Sequence, residues 1–142
     1  MTKEEIIAKL PYSKPFLFVD EIIKIDENGV EGCYTFDENL DFYKGHFKTH
    51  PVTPGVILTE VMAQIGLVCL GIFLMNENSN KTASIALTSS DIAFLKPVYP
   101  NEKVRVISEK IYFRFGKLKC KLHMTNQKGE AVCTGIIAGM MV

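Results

Sequence analysis

The chain has no surplus of either charge: sixteen Lys and Arg stand against sixteen Asp and Glu in 142 residues. That balance gives no basic footprint of the kind a nucleic-acid binder carries. It also leaves little mutual repulsion between copies, which is compatible with an oligomer. The four cysteines, Cys33, Cys69, Cys120 and Cys133, include no pair in the CxxC spacing. They read as small buried hydrophobes in a reduced protein rather than disulfides or metal ligands. The start, with Lys3, Glu4 and Glu5, lacks an apolar leader, so a cytoplasmic location is expected. No uncharged run is long enough to span a bilayer. Val61 to Met75 is fifteen residues, broken by Gln64, Gly66 and Gly71 and abutted by Glu60; a span needs ~18–20. The run therefore predicts a buried central helix, with no membrane partner. Repeats, linkers and low-complexity tracts are also missing, and the expectation is one domain over residues 1–142.

Hydrophobic residues make up 47% of the chain, enough for a core. Thr2 followed by Glu5 has the spacing of a capping box for a short helix ending near Leu10–Pro11. Phe16 to Ile25 and Val30 to Phe36 read as strands joined by the hairpin signal Asn28-Gly29. Asp37 to Pro54 is irregular, with Gly45, Pro51 and Pro54, and its Phe42, Tyr43 and Phe47 should tether it to the body. Long ordered loops in small domains are usually functional. Gly55 to Met75 reads as one helix and Asn76 to Lys81 as a polar break. Thr82 to Ala93, Glu102 to Phe115, Lys117 to Thr125 and Ala131 to Val142 then read as strands. A helix apolar on all sides needs a sheet that wraps it, which predicts an α+β fold with one long helix in a curved antiparallel sheet. Its surplus apolar surface points to two subunits.

Chemistry concentrates in Gly45-His46-Phe47-Lys48-Thr49-His50-Pro51-Val52-Thr53-Pro54-Gly55-Val56, with Glu60 fourteen residues after His46. His46 is a base candidate, because imidazole takes and returns a proton near neutral pH. Glu60 is an acid candidate on the helix, with Gln64 one turn further on to orient it. An apolar setting raises a carboxyl pKa and a helix N-terminus lowers it, and that contest decides whether Glu60 is an acid or merely a charge. At Gly55 a backbone N–H lies open at the helix start, suited to a carbonyl oxygen that gains negative charge. His46 and His50 do not make a zinc pair, since no Glu follows His46 and Pro51 takes His50 out of helical geometry. His123, within a strand, reads as structural.

These residues resemble the 3-hydroxyacyl-[acyl-carrier-protein] dehydratases of the FabZ/FabA type, in the hotdog superfamily. That family's segment is G-H-F-P-x-x-P-x-M-P-G-V followed by E-A-x-A-Q, against Glu60-Val61-Met62-Ala63-Gln64 here. Leu10 to Asp20 is similar to the family's L-P-H-R-x-P-F-L-L-V-D, and Phe94 to Pro100 to its F-R-x-P-V-x-P-G-D. Lys48, Thr53, Tyr12 and Asn101 depart from the pattern. The resemblance implies a hotdog fold and a homodimer with shared sites, each pairing His46 of one subunit with Glu60 of the other. It implies His46 and Glu60 as catalytic, and Gly55, Gln64, Phe47 and Val56 as oxyanion or substrate-binding residues. No metal and no cofactor are implied. The implied partner is an acyl carrier protein bearing a 3-hydroxyacyl-phosphopantetheine, which Lys44, Lys48 and Lys96 would meet. The implied reaction is dehydration to a trans-2-enoyl thioester in fatty-acid or a specialised polyene or pigment-type synthesis. An acyl thioesterase on the same fold, or a non-catalytic acyl-binding subunit of a heterodimer, are the alternatives, and a higher oligomer is compatible.

Overall fold

Thr2 Oγ1 accepts the Glu5 N–H at 3.1 Å and starts α1 (Lys3–Ala8). The computed structural model describes residues 1–75 and 84–142. After α1 come β1 (Glu21–Asp26), β2 (Gly29–Thr35), α2 (Phe42–Gly45) and the long helix α3 (Gly55–Leu74). β3 (Ile85–Phe94), β4 (Lys103–Arg114), β5 (Lys117–Thr125) and β6 (Ala131–Met141) complete the chain. The strands form one sheet in the order β1-β2-β4-β5-β6-β3, with every neighbouring pair antiparallel. The polar break at Asn76 to Lys81 and the strand start at Thr82 lie outside the described residues.

The β1–β2 turn follows from side-chain chemistry. Asp26 Oδ1 accepts the N–H groups of Asn28 and Gly29 at 2.8 and 3.1 Å, an Asx turn that closes the hairpin. The first strand is shorter than the sequence pattern predicts. Residues 16 to 19 lie outside the ladder, where the Gln64 side chain takes the Phe18 N–H and the Phe16 carbonyl. Inside Asp37 to Pro54 the sequence showed no helix, yet α2 forms one turn. Tyr43 is buried there and Phe42 half-buried, while Phe47 is 49% exposed and does not tether the loop.

α3 is buried on every side from Val61 to Ile72. At twenty residues it is long and apolar enough to cross a membrane, but 72% of its most apolar window is buried inside the protein. Strands β2, β4, β5 and β6 all contact its middle, so the sheet uses the surface a bilayer would otherwise cover. That middle, Gln64–Val68, is a π-helical stretch that the 3.6-residue pattern does not reveal. Gly66 permits the close approach, since a Cβ there would lie 2.1 Å from Leu122 Cδ2. Buried Ser108 on β4 donates its hydroxyl to the Gly66 carbonyl at 2.8 Å, giving the irregular turn a partner from the sheet. The four cysteines are free and buried, as expected, and burial pushes the Cys69 thiol up to about 12.

Ser108→Ala removes that donor from a buried carbonyl. The expected loss is about 1–2 kcal/mol, read in urea as a lower midpoint with an unchanged slope.

Candidate active site

The His46 loop is built from backbone closures. The His46 N–H donates to the Phe42 carbonyl at 2.9 Å and ends α2. The Val52 N–H donates back to the His46 carbonyl at 2.9 Å. Thr53 fastens the far end, with its N–H on the Val98 carbonyl at 2.8 Å and its hydroxyl 2.6 Å from that of buried Tyr43. The His46 ring Nδ1 lies 2.9 Å from the Val52 carbonyl. A carbonyl only accepts, so Nδ1 carries the hydrogen, and in the neutral ring this tautomer leaves the lone pair on Nε2, the form a general base needs. Phe47 stacks on the His46 ring with centroids 3.9 Å apart and fixes its other face.

Gly55 opens α3 beside this loop. The Ile57 and Leu58 N–H groups share the Pro54 carbonyl, at 2.9 and 3.2 Å. The Gly55 and Val56 N–H groups have no acceptor among the described residues, as the start of a helix dictates. A groove of about 310 Å³ joins His46 and Gly55, walled by Leu58, Phe94, Leu95 and Pro97. A Cβ at residue 55 would come within 3.3 Å of the Phe94 ring, so glycine keeps the wall and the helix start together. Val56 is 76% exposed at the same helix start and points away from the core.

Glu60 and Gln64 form a second cluster. Gln64 is fully buried and uses both ends of its amide. Oε1 accepts the Phe18 N–H at 2.8 Å, and Nε2 donates to the Phe16 carbonyl at 3.0 Å and to Glu60 Oε2 at 2.9 Å. Burial raises the Glu60 carboxyl above its ordinary range, and the Gln64 hydrogen bond opposes this without reversing it. Burial is the larger influence, and the group is displaced in the direction a proton donor requires. Tyr12 is pushed up to about 12 by its own burial and then by the Glu60 charge, so a neutral phenol stands near this acid.

The structure thus joins His46 with Gly55, and Glu60 with Gln64, but Glu60 does not line the His46 groove of its own chain. His50 is exposed, with its ring 5.7 Å from Phe47, and His123 points outward on β5, exposed rather than structural. Of the wall Phe94–Pro97, the sequence reading gave a role to Lys96 alone and had Phe94, Leu95 and Pro97 only as part of the resemblance. The wall's signal was the stretch Phe94 to Pro100 following a strand, which only the folded groove turns into a site.

The chain superposes on the dehydratase heterocomplex ApeI:P from Xenorhabdus doucetiae with a TM-score of 0.80, covering 100% of this chain and 92% of that one at 13% identity. It superposes on the E. coli PaaI protein of the phenylacetic acid degradation operon with a TM-score of 0.63, at 13% identity over 86% and 78% of the two chains. At such identities these likenesses establish the hotdog fold. The sequence model of the FabA-like domain matches residues 10–137, and the chain belongs to that family. Similar sequences include the 3-hydroxyacyl-[acyl-carrier-protein] dehydratase FabZ of Caldicellulosiruptor saccharolyticus, 36% identical over 92% of this chain and 91% of that protein. The FabZ of Geotalea uraniireducens is 31% identical over 97% and 90%.

The raised Glu60 carboxyl sets a pH dependence of stability. Between the ordinary carboxyl value and the raised one, the folded state holds the proton more tightly than the unfolded chain, so stability falls as pH rises through that window. Glu60→Gln should therefore melt higher than wild type at neutral pH. The two curves should converge below about pH 4, where both side chains are neutral; thermal melts across pH read the difference.

Proposed function

We propose that this protein dehydrates 3-hydroxyacyl thioesters held on an acyl carrier protein, giving trans-2-enoyl thioesters. The observation that carries the reading is the His46 ring, held by Val52 through Nδ1 with no partner on Nε2 among the described residues, in one groove with the open Gly55 N–H. Family membership and FabZ relatives at 31–36% identity support the same chemistry. In this reading His46 Nε2 takes a proton from C2 of the substrate. The Gly55 N–H donates to the thioester carbonyl as it gains charge. Glu60 gives its proton to the departing 3-hydroxyl, which leaves as water, and the C2–C3 double bond forms. The proton on His46 returns through solvent to Glu60, and the pair is reset. Phe47 and Val56 flank the entry of the acyl thioester.

Helix arithmetic supports a two-chain site. At about 100° per residue, Glu60 lies roughly 140° around α3 from Gly55 and 160° from Leu58, both of which face the His46 groove. Rotating a side chain does not bring Glu60 to its own His46. A second copy supplies it in this reading. β3 is the edge that receives the copy: ten residues long, without Pro or Lys, with a single charge at Asp91 and Leu87 44% exposed. Natural edge strands are normally blunted, and this one is not. Of the cations proposed to meet an acidic carrier, Lys44 is paired with Asp41 at 3.1 Å and Lys96 with Glu130 at 2.6 Å. Lys48 has no such partner among the described residues. The buried free thiols fit the reducing cytoplasm as the place of work.

The test is mass spectrometry on 3-hydroxyacyl carrier-protein thioesters of several chain lengths. Loss of one water with the thioester intact is expected, reduced roughly 100- to 10,000-fold in His46→Ala. Release of free thiol would instead make the protein a thioesterase. For the shared site, His46→Ala and Glu60→Ala are each expected to be inactive, and their mixture, after subunit exchange, to regain activity. A fully active monomer would contradict it.

A further inference from the structure

The zero net charge of the chain hides a strong local asymmetry at the β4–β5 hairpin. Lys117, Lys119 and Lys121 alternate on β5 with buried Leu118, Cys120 and Leu122, so all three lie on the face turned away from α3. Arg114 pairs across the ladder with Lys117, Tyr112 with Lys119 and Glu109 with Lys121. Arg114 covers the Tyr112 ring at 4.3 Å, and Lys119 approaches it at 5.9 Å. Among the described residues none of these four cations has an ion-pair partner within 4.0 Å. Like charges directly opposite each other destabilise a ladder. Lysines often guard sheet edges against pairing, but β5 is an interior strand with neighbours on both sides, so that purpose does not apply here.

The tip adds the second observation. Phe115 and Gly116 form a two-residue turn with φ of 52° and 74°. Such a turn favours Asn-Gly, because asparagine tolerates the left-handed region and a bulky residue does not. Phenylalanine sits there instead, 95% exposed. The Met141 N–H donates to the Gly116 carbonyl at 3.0 Å, which places the end of β6 beside the tip. Ile111 and Met140 add further exposed apolar surface, at 47% and 40%.

Against the sequence expectation of no membrane partner, we infer that the β4–β5 hairpin docks on an anionic lipid surface, with Phe115 entering the interface and Arg114, Lys117, Lys119 and Lys121 meeting the phosphates behind it. The order of groups selects the partner. A bilayer interface presents apolar chain beneath a layer of phosphate, matching an apolar tip followed by a belt of cations. An acidic protein surface supplies the charge but no yielding layer for Phe115. The hairpin lies at the far end of the sheet from the His46 groove: β6 pairs with Phe94 at Cys133 and with Lys117 at Met140. Docking therefore leaves that groove uncovered, and the inference does not depend on the proposed reaction.

Co-sedimentation of the full chain with phosphatidylcholine vesicles, with and without phosphatidylglycerol, tests it. Wild type should pellet with the phosphatidylglycerol vesicles at low salt, not with pure phosphatidylcholine, and should be released at high salt. Phe115→Asn should melt no lower than wild type, since it relieves the turn, yet lose tenfold or more of the bound fraction. Lys117→Glu with Lys119→Glu should lose binding as well, with thermal melts confirming that the fold is kept. Wild type that stays in the supernatant, or variants that pellet like wild type, overturn the inference. So does a wild type that ignores vesicles but binds an acidic carrier protein through these same residues.

Discussion

Everything that positions the acid depends on one buried amide. Gln64 is fully enclosed, and its side chain meets three groups from two parts of the chain: the Phe18 N–H, the Phe16 carbonyl and Glu60. An amide in an apolar core is costly unless its groups are matched. Here the matching groups belong to residues 16 to 18, which lie outside the ladder. The same residue opens the π-helical stretch, whose Gly66 carbonyl is met by Ser108 from β4. The N-terminal arm, the central helix and the sheet are thereby tied at one level, and the Glu60 carboxylate is held at that level. Replacing Gln64 with an apolar residue would free two backbone groups and one carboxylate together.

The sheet and the helix were legible because their signals are periodic or punctuated. Alternation in Lys117 to Thr125, the Asn28-Gly29 turn and the uncharged run after Glu60 each correspond to an observed element. The misses share one physical origin. Phe16 to Val19 carries β-prone residues, yet its backbone is claimed by a side chain 46 and 48 positions away, which no local pattern encodes. The π-helical stretch is a single extra residue in a helix buried all round, where periodicity has no polar face to reveal a change of phase. Within the candidate site, residue types were legible and partners were not. His46 was visible as a base, but only the fold shows that the Val52 carbonyl sets its tautomer. The groove wall at Phe94 to Pro97 is separated from His46 by about one third of the chain and becomes a wall only through sheet closure.

Net charge illustrates the same limit from another side. A total of zero was read correctly as excluding a uniformly basic protein. It says nothing of where the charges sit. Strand alternation places the three β5 lysines on one face and the cross-strand register adds Arg114, so a basic strip arises without any basic run in the sequence. The β1 and β2 end of the sheet keeps its acids, with Glu31 accepting from Arg105 and facing Lys24. Asymmetry of this kind is a property of register.

The separation of His46 from Glu60 within one chain bears on how the acid is tuned. Glu60 is half-buried in a single chain, and that burial already moves its carboxyl upward. If a second copy supplies the base, the same association that completes the pair also removes more water from the carboxylate. Desolvation disfavours the charged form, so pairing would raise the carboxyl further and keep it protonated as the base arrives. Gln64 limits the excursion, because its donated hydrogen bond favours the ionised carboxylate. An acid that must both release a proton to a departing hydroxyl and recover it afterwards needs a pKa near the working pH rather than far above it. The apolar surround raises the carboxyl and the Gln64 amide one helical turn away restrains it, so the two act in opposite directions on the same group.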